Sequence, residues 1–212
     1  MADDETIEAV EKALEAAPER NFEESLELAI NLREVDLSQP QNRIDEEIVL
    51  PNGRGKEIKV GVFGSGELAL EAREVADTVI EPDEIEDLAE DGSRSRKLAE
   101  EHQFFLAEPP LMTVIGRELG SILGPQGKMP NPIKPDDDLE SIVKSLKGTV
   151  RARSGDRRTF HVPVGTEKLD VEEIAGNIDT VLRRIIQNLD RREINIDSVY
   201  VKTTMGPAMR IM

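Results

Sequence analysis

The feature that most constrains the fold of this 212-residue chain is a change in its hydrophobic pattern at two points. Between residues 54 and 148, short apolar segments typical of strands alternate with segments of helical periodicity, an order typical of a parallel α/β sheet. The turn sequence Pro-Asn-Gly-Arg-Gly begins at Pro51, and Gly148 closes the segment. We therefore predict an inserted α/β domain over 54–148 within a discontinuous α+β domain formed by 1–53 and 149–212.

The two terminal parts show both hydrophobic periods. Apolar residues recur at helical spacing near the start of the chain, and Leu26, Ala29 and Ile30 would share one face of a second helix. From 44 to 50 they alternate, which is typical of a strand with one solvent-facing side. Two later strands are predicted to form a hairpin around Gly155 and Asp156. The predicted elements are helices over 6–17, 23–32 and 174–189, and strands over 44–50, 150–154, 159–164 and 194–203.

The inserted part begins with an apolar strand, which a Gly-Ser-Gly turn at 64–66 follows. Segments of strand-like and helix-like pattern then alternate up to Gly148, as expected for a parallel sheet with helical connections. The predicted elements are strands over 58–63, 77–80 and 103–107, and helices starting at 67 and covering 82–90, 111–123 and 138–146.

Composition excludes several kinds of site. The chain has no cysteine, so disulfides and thiolate metal sites are excluded, and its two histidines are too few for a histidine-rich metal centre. We expect no cofactor, no metal and no small-molecule substrate. The first residues are acidic rather than basic, and no apolar stretch approaches the about 20 residues needed to span a membrane. We therefore expect a cytoplasmic protein with no membrane partner.

The net charge of −17 opposes an interaction with nucleic acid, because binding of phosphates requires Lys and Arg. A halophilic surface has the same composition. Its acids barely repel RNA in concentrated salt, because the screening length falls to about 3 Å at 1 M. The acids are spread along the chain rather than gathered in a tail, which favours adaptation to high salt. Composition alone does not identify the partner.

One glycine-rich segment raises an enzymatic alternative. Residues 63–69, Phe-Gly-Ser-Gly-Glu-Leu-Ala, partly match the dinucleotide-binding pattern G-x-G-x-x-G/A, and Asp83 or Glu84 lies near the position of the ribose-binding acid. Glu67 argues for a simple strand-to-helix turn instead, because its carboxylate would repel a pyrophosphate. A nucleotide-dependent enzyme thus stays open as an alternative, although no convincing nucleophile or general base accompanies the turn. A second alternative is an acidic protein-interaction module.

Two longer segments carry a specific resemblance. Residues 113–132 form a predicted helix that ends at a Gly-Pro pair, followed by a proline-stiffened loop from which Lys128 and Lys134 would project. Residues 198–207, Ser-Val-Tyr-Val-Lys-Thr-Thr-Met-Gly-Pro, form a predicted strand that runs into another Gly-Pro break. The first segment resembles the Leu-Gly-Pro-x-Gly-x-Met-Pro loop of the ribosomal protein L-one family. The second resembles the Thr-Met-Gly end of that family's last strand.

The resemblance extends over essentially the whole chain. Phe22 stands where the family has an early phenylalanine, and 159–165 is similar to the family's strand and following turn. Departures occur at Asn21, where many relatives have lysine, and at Gln126 and Lys128 in the loop. They put individual contacts in doubt.

The resemblance implies a fold and a function. The discontinuous α+β domain would have an RRM-like split βαβ layout, and the inserted α/β domain would be Rossmann-like with three layers. The chain would be a non-enzymatic constituent of the large ribosomal subunit that binds ribosomal RNA of the mobile stalk near the exit site. There it would assist release of deacylated tRNA, and it would repress translation by binding its own mRNA.

The resemblance, together with the charges, also suggests the RNA-binding residues. Thr204, Ser198 and the backbone of Met205 and Gly206 would contact ribose and phosphate groups, while Glu27 would orient or receive a ribose hydroxyl. Two segments of the −17 chain have a net positive charge: 149–168 has five bases and two acids, and 198–212 has two bases and no acid. The predicted RNA-binding set is Phe22, Ser25, Glu27, Arg151, Arg153, Arg157, Arg158, His161, Gly165, Lys168, Ser198, Lys202, Thr204, Met205, Gly206 and Pro207, with Lys128 and Lys134 in the loop of the inserted domain.

Overall fold

The computed structural model describes residues 4–134 and 137–212, and their contacts divide the chain into two compact units. The first unit contains the chain up to Lys56 together with Gly148–Met212, and the second is Glu57–Lys147. The sequence prediction placed these boundaries at 53/54 and 148/149. That the two parts fold independently stays a prediction.

The secondary structure alternates between strands and helices along the chain. The strands are β1 (Ser25–Leu32), β2 (Asp45–Val49), β3 (Lys59–Phe63), β4 (Thr78–Ile80), β5 (His102–Ala107), β6 (Asn131–Pro132), β7 (Thr149–Arg153), β8 (Thr159–Thr166), β9 (Ile196–Thr203) and β10 (Met209–Arg210). The helices are α1 (Asp4–Glu15), α2 (Gly66–Val75), α3 (Pro82–Glu90), α4 (Gly92–Glu101), α5 (Met112–Glu118), α6 (Gly120–Leu123), α7 (Leu139–Lys147) and α8 (Val171–Asn188). Short 3₁₀ turns lie at Pro40–Asn42, Pro109–Leu111 and Arg192–Asn195.

The first unit is built on a four-stranded sheet with the order β10-β9-β1-β8. Both β8 and β9 are antiparallel to β1, which lies between them, and α8 connects β8 to β9. This is the split βαβ arrangement that the resemblance implied. Apolar residues of α1 and α8 pack with the inward side chains of the sheet into one core, which includes Val10, Leu28, Val162, Ile178 and Val201.

The prediction of a helix over 23–32 is wrong, because this segment forms the central strand β1. Its burial alternates strictly, so that Leu26, Leu28, Ile30 and Leu32 all enter the core. Each such side chain contributes about 2 kcal/mol by burial. A helix face would bury only two of these large side chains together with Ala29. The extended form is also stabilised by two ladders of hydrogen bonds, one to β8 and one to β9.

The predicted hairpin around Gly155 and Asp156 is also wrong, although both of its strands exist. In the described chain β7 pairs with β2 in a separate two-stranded ribbon, whereas β8 pairs with β1. The Ser154 hydroxyl accepts a 3.0 Å hydrogen bond from the Ile44 N–H, which holds the end of β7 to the start of β2. Each strand therefore finds its partner far away in the sequence.

The second unit is a parallel sheet with the order β4-β3-β5-β6. Successive side chains of β5 enter two different apolar clusters: Phe104 and Leu106 pack with α2 and α7, while Phe105 and Ala107 pack with α3, α5 and α6. Helices therefore cover both faces, as predicted for three layers. Helix α4 was not predicted from the sequence, and the helix predicted over 111–123 is divided at Leu119.

No helix of the chain over 4–134 and 137–212 is long and apolar enough to cross a membrane. Within the same residues, no group of three or more His, Asp or Glu side chains is arranged to hold a metal ion.

Candidate nucleic-acid interface

The sheet of the first unit has a polar face on the side away from its core. Along β1 the side chains at alternate positions, from Ser25 to Asn31, are only partly buried. Most of their neighbours on β8 and β9 are partly exposed as well, because paired residues of adjacent strands point to the same side, but Thr166 and Ser198 at the two ends are buried. The predicted residues Glu27, His161 and Lys202 lie together at the middle of this face.

Glu27 connects β1 to both of its neighbours, β8 and β9, through its carboxylate. Its Oε1 lies 3.3 Å from the Lys202 Nζ on β9 and 3.3 Å from the His161 Nδ1 on β8. The Lys202 ammonium also donates to the Thr204 carbonyl at 2.7 Å. A carboxylate with an ammonium group on one side and an imidazole on the other can accept a ribose hydroxyl while the cation stays near a phosphate.

The turn that follows β9 is fastened to the residues just before and at the start of β1. The Thr204 N–H and its hydroxyl both donate to the Ser25 carbonyl, at 2.9 and 3.2 Å. The Gly206 N–H donates to the Thr203 carbonyl at 3.1 Å, which closes the turn. A Cβ atom at Gly206 would lie 2.3 Å from the buried Thr203 hydroxyl oxygen, so only glycine allows this close approach.

Glu24 is a functional candidate that the sequence analysis missed. Its side chain is only 2% exposed, and its carboxylate accepts a 3.2 Å hydrogen bond from the Met205 N–H. The Arg20 Nε lies 3.9 Å from the same carboxylate. The signal was present in the sequence, since an acid within the run Phe22–Leu26 occupies a position that alternation assigns to the core. The mistaken helix concealed that alternation.

Phe22 and Met205 are the exposed apolar groups at this end of the sheet. Their exposed fractions are 58% and 61%, although side chains of this size are usually covered. Phe22 lies two residues before Glu24, and Met205 lies in the turn. The two segments are joined by hydrogen bonds from Met205 to Glu24 and from Thr204 to Ser25. The turn therefore presents apolar surface next to backbone groups whose positions are fixed, which suits contact with ribose and base faces.

Lys168, Gly165 and Pro207 complete this end of the predicted site. The Lys168 ammonium pairs with the Glu23 carboxylate, and the hydrogen bonds from Lys168 and then Thr166 hold the pKa of Glu23 below its ordinary value. Gly165 is buried, and a Cβ atom there would lie 3.0 Å from the Leu169 side chain, so its role is in packing. Pro207 is exposed after the turn.

Ser198 lies at the opposite end of β9, about 20 Å from Thr204 at a rise of ~3.3 Å per residue. It is 7% exposed, and its hydroxyl accepts a 2.9 Å hydrogen bond from the Asn31 amide. The Thr159 hydroxyl donates to the same Asn31 side chain at 2.7 Å. The structure therefore does not place Ser198 beside Thr204 as the prediction assumed, and it gives Ser198 a partner within the sheet.

The four predicted arginines lie in two places outside the Thr204–Gly206 turn. Arg151 donates two hydrogen bonds to Asp45 across the β2–β7 ribbon, at 2.6 and 2.8 Å, and Arg153 lies 3.8 Å from the same carboxylate. These contacts raise the pKa of Arg151, chiefly through the hydrogen bond to Asp45. Arg157 and Arg158 are exposed, and the Arg158 carbonyl accepts from the Leu32 N–H at 2.8 Å. They therefore lie at the Ser198 end.

In the second unit, Lys128 does not project from its loop as predicted. It is partly buried, which lowers the pKa of its ammonium group, and this group donates to the Ala99 carbonyl in the last turn of α4. The last carbonyls of a helix have no partners within the helix and favour a cation, which explains the contact. Lys134 is exposed, and its N–H donates to Asp137 at 2.9 Å.

The glycine-rich turn at Gly64–Gly66 is occupied by a side chain of the protein itself. The Glu108 carboxylate accepts hydrogen bonds from the Ser65 N–H at 3.1 Å and from its hydroxyl at 2.9 Å. Gly66 has φ +53°, a conformation that suits glycine at the start of α2. An acid thus holds the donors that a phosphate would need, which disfavours the nucleotide-binding alternative.

Known proteins similar to this chain agree with the resemblance. The family described as "Ribosomal protein L1p/L10e family" matches residues 12–207. The chain is 54% identical over 211 residues to the large ribosomal subunit protein uL1 of Haloarcula marismortui, with both chains covered completely. It is 52% identical over 208 residues to that of Natronomonas pharaonis, covering 98% of each chain. It is 53% identical over 203 residues to that of Thermoplasma acidophilum, covering 96% of this chain and 94% of the relative. The chain therefore belongs to the Ribosomal protein L1p/L10e family.

Proposed function

We propose that the chain is a structural constituent of the large ribosomal subunit, and that it binds ribosomal RNA of the stalk near the exit site through the first unit. Family membership supports a non-enzymatic ribosomal role in the cytoplasm. The observation that carries the RNA contact is the turn at Thr204–Gly206, which is fastened to Glu24 and Ser25 and exposes Met205.

Three regions along the sheet would contact different chemical groups of the RNA. The turn, with Phe22 and Met205, would recognise ribose and base faces, and Glu27 with Lys202 would meet hydroxyl and phosphate groups at the centre. The exposed guanidinium groups of Arg157 and Arg158 would hold phosphates at the far end, about 20 Å away. One RNA segment laid along the sheet would then contact all three regions.

The decisive experiment compares two substitutions that add the same charge at equally exposed apolar positions. Met205→Asp changes the turn, and Leu70→Asp changes α2 in the second unit, where Leu70 is 64% exposed. Filter binding to a transcript of the stalk region should show a loss of about tenfold or more for Met205→Asp, since about 1.4 kcal/mol corresponds to tenfold. Equal affinities of the two variants, with circular dichroism unchanged, would refute the proposed interface.

The proposal extends to two further RNA partners. We infer that the same surface binds a mimic of the rRNA site in the chain's own mRNA and represses its translation, and that the bound protein assists release of tRNA from the exit site. Both follow from the family resemblance. For the mRNA, the test is competition: a leader transcript should displace the stalk transcript from the wild-type chain, and Met205→Asp should weaken both complexes in parallel.

A further inference from the structure

Helix α4 carries its charges in the order that a helix disfavours. Arg94, Arg96 and Lys97 lie in its first two turns, and Glu100 and Glu101 lie in its last turn. The N-terminus of a helix has partial positive charge and the C-terminus partial negative charge, so this order is the reverse of the stabilising one. By contrast, α2 and α7 both have an acid in the first turn and at least one base in the last turn. Stability of the helix does not account for the three cations.

The cations of α4 are also available for a partner. All three side chains are exposed, and within residues 4–134 and 137–212 no ion pair holds Arg94 or Arg96. Lys97 lies 3.9 Å from Glu101, a distance that gives a weak surface contact. The backbone N–H groups of Ser93 and Arg94 donate to the Asp91 carboxylate at 3.0 and 3.1 Å. An anion would thus meet the side chains of α4, because the end of the helix is already capped.

This cluster is unusual in a chain with a net charge of −17. Residues 92–99 contain three bases and no acid, so their net charge is opposite in sign to that of the whole chain. The helix packed beside α4 is strongly acidic, yet none of the described ion pairs joins α3 to Arg94, Arg96 or Lys97. The cations therefore do not serve to neutralise their neighbour.

We propose that Arg94, Arg96 and Lys97 form a second phosphate-binding surface, by which the inserted unit contacts RNA. Two of the three are arginines, whose planar guanidinium groups bind phosphate oxygens in pairs. The predicted cation Lys128 is engaged with the Ala99 carbonyl at the other end of α4, so this helix supplies the contact that the loop was expected to make. The inference rests on the proposed RNA-binding function, and it assigns a surface that contacts the RNA backbone without reading sequence.

The test measures how affinity depends on salt. The full chain with Arg94→Gln, Arg96→Gln and Lys97→Gln is titrated against the stalk transcript between about 0.5 and 2 M KCl. Each lost phosphate contact reduces the slope of log affinity against log salt by about 0.7–0.9, so three contacts reduce it by about 2.1–2.7. The matched control, Arg73→Gln with Arg117→Gln and Lys144→Gln, changes net charge equally in the same unit and should keep the slope. The variant Arg94→Lys with Arg96→Lys preserves the charge and should retain most of the wild-type slope.

The outcomes separate this inference from the proposed function. If the wild-type chain binds and Met205→Asp weakens it while the α4 variant keeps the wild-type slope, only the α4 surface is overturned. If the control lowers the slope as much as the α4 variant does, the effect is one of net charge and the inference is also overturned. Failure of the wild-type chain to bind the transcript would overturn the proposed function itself. Thermal unfolding supplies the remaining check: the α4 variant should unfold at the wild-type temperature or above, because it removes an unfavourable charge order.

Discussion

The buried carboxylate of Glu24 accepts a 3.2 Å hydrogen bond from the backbone N–H of Met205, and so joins the segment before β1 to the turn after β9. These residues are 181 positions apart in the sequence. Only 2% of the Glu24 side chain is exposed, so it is covered from an RNA partner. Its effect is to hold the turn in the conformation that exposes Met205, which makes it a positioning residue for the proposed interface.

Glu24→Ala is expected to weaken RNA binding although Glu24 is covered. The substitution leaves a partly buried Met205 N–H without its acceptor, a loss of about 1–3 kcal/mol. Amide hydrogen exchange at Met205 should accelerate, and affinity for the stalk transcript should fall by roughly tenfold. Glu19→Ala, which removes an exposed acid nearby, is the control and should change neither quantity. Slow exchange at Met205 in the Glu24→Ala chain would contradict the positioning role.

Lys168→Gln is expected to raise the pKa of Glu23 toward its ordinary value. The bond from Lys168 is the largest cause of the lowered pKa, and the bond from Thr166 would remain. A lowered pKa in the folded state stabilises the fold above the ordinary pKa, and this contribution is lost as the pH falls through the lowered one. The variant should therefore lose less stability in that acidic range. NMR titration of Glu23 measures the shift, and the pKa of Glu8, which Lys12 lowers in α1, should stay the same.

The inserted unit is expected to be removable without loss of the first. The Leu50 N–H donates to the Gly148 carbonyl at 3.0 Å, so the chain passes beside its point of return six residues before it leaves the first unit at Lys56. A chain that joins residues 1–56 to 148–212 through a short glycine linker should fold and bind the stalk transcript. Joining 1–53 to 149–212 should give a less stable product, because a Cβ atom at Gly55 would lie 3.0 Å from the Leu169 side chain, which shows how closely this residue packs in the unit. An insoluble shorter chain in both cases, beside a full chain that binds, would refute independent folding.

Affinity for RNA is expected to depend non-monotonically on salt, rising at low salt and falling moderately over the range in which the α4 contacts are tested. The net charge of −17 causes repulsion within the protein and between the protein and RNA. This repulsion is strongest at low salt, because the screening length reaches about 30 Å at 0.01 M. Rising salt screens this repulsion while it weakens the contacts between cations and phosphates. Hydrogen bonds and apolar contacts at the Thr204–Gly206 turn are less sensitive to screening. Titration from about 0.1 to 3 M KCl should therefore show binding that survives at molar salt. A complete loss of affinity at molar salt would contradict both the hypothesis of adaptation to high salt and this interface.

Local sequence was sufficient for elements whose pattern fits only one period. The helix predicted over 82–90 coincides with α3, and the strand predicted over 44–50 contains β2, because in each case a turn-forming residue or strict alternation marks the ends. The segment before β2 was mistaken because its apolar residues satisfy both periods. Leu26 and Ile30 are compatible with a helix as well as with a strand, and only the presence of β8 and β9 on either side decides between them.

By itself, the sequence determined the family, and it predicted the two-part layout and most residues of the proposed interface. These depend on local pattern and on sequence motifs that chance does not reproduce. The tertiary structure alone decided which of those residues act together. It placed Ser198 and the exposed arginines at the far end of the sheet from Thr204, paired Arg151 with Asp45, turned Lys128 onto α4 and brought Glu24 under Met205. The physical reason is that these contacts join groups that are remote in the sequence. Such groups come within contact distance only when the strands and helices pack, so local sequence does not show which of them will pair.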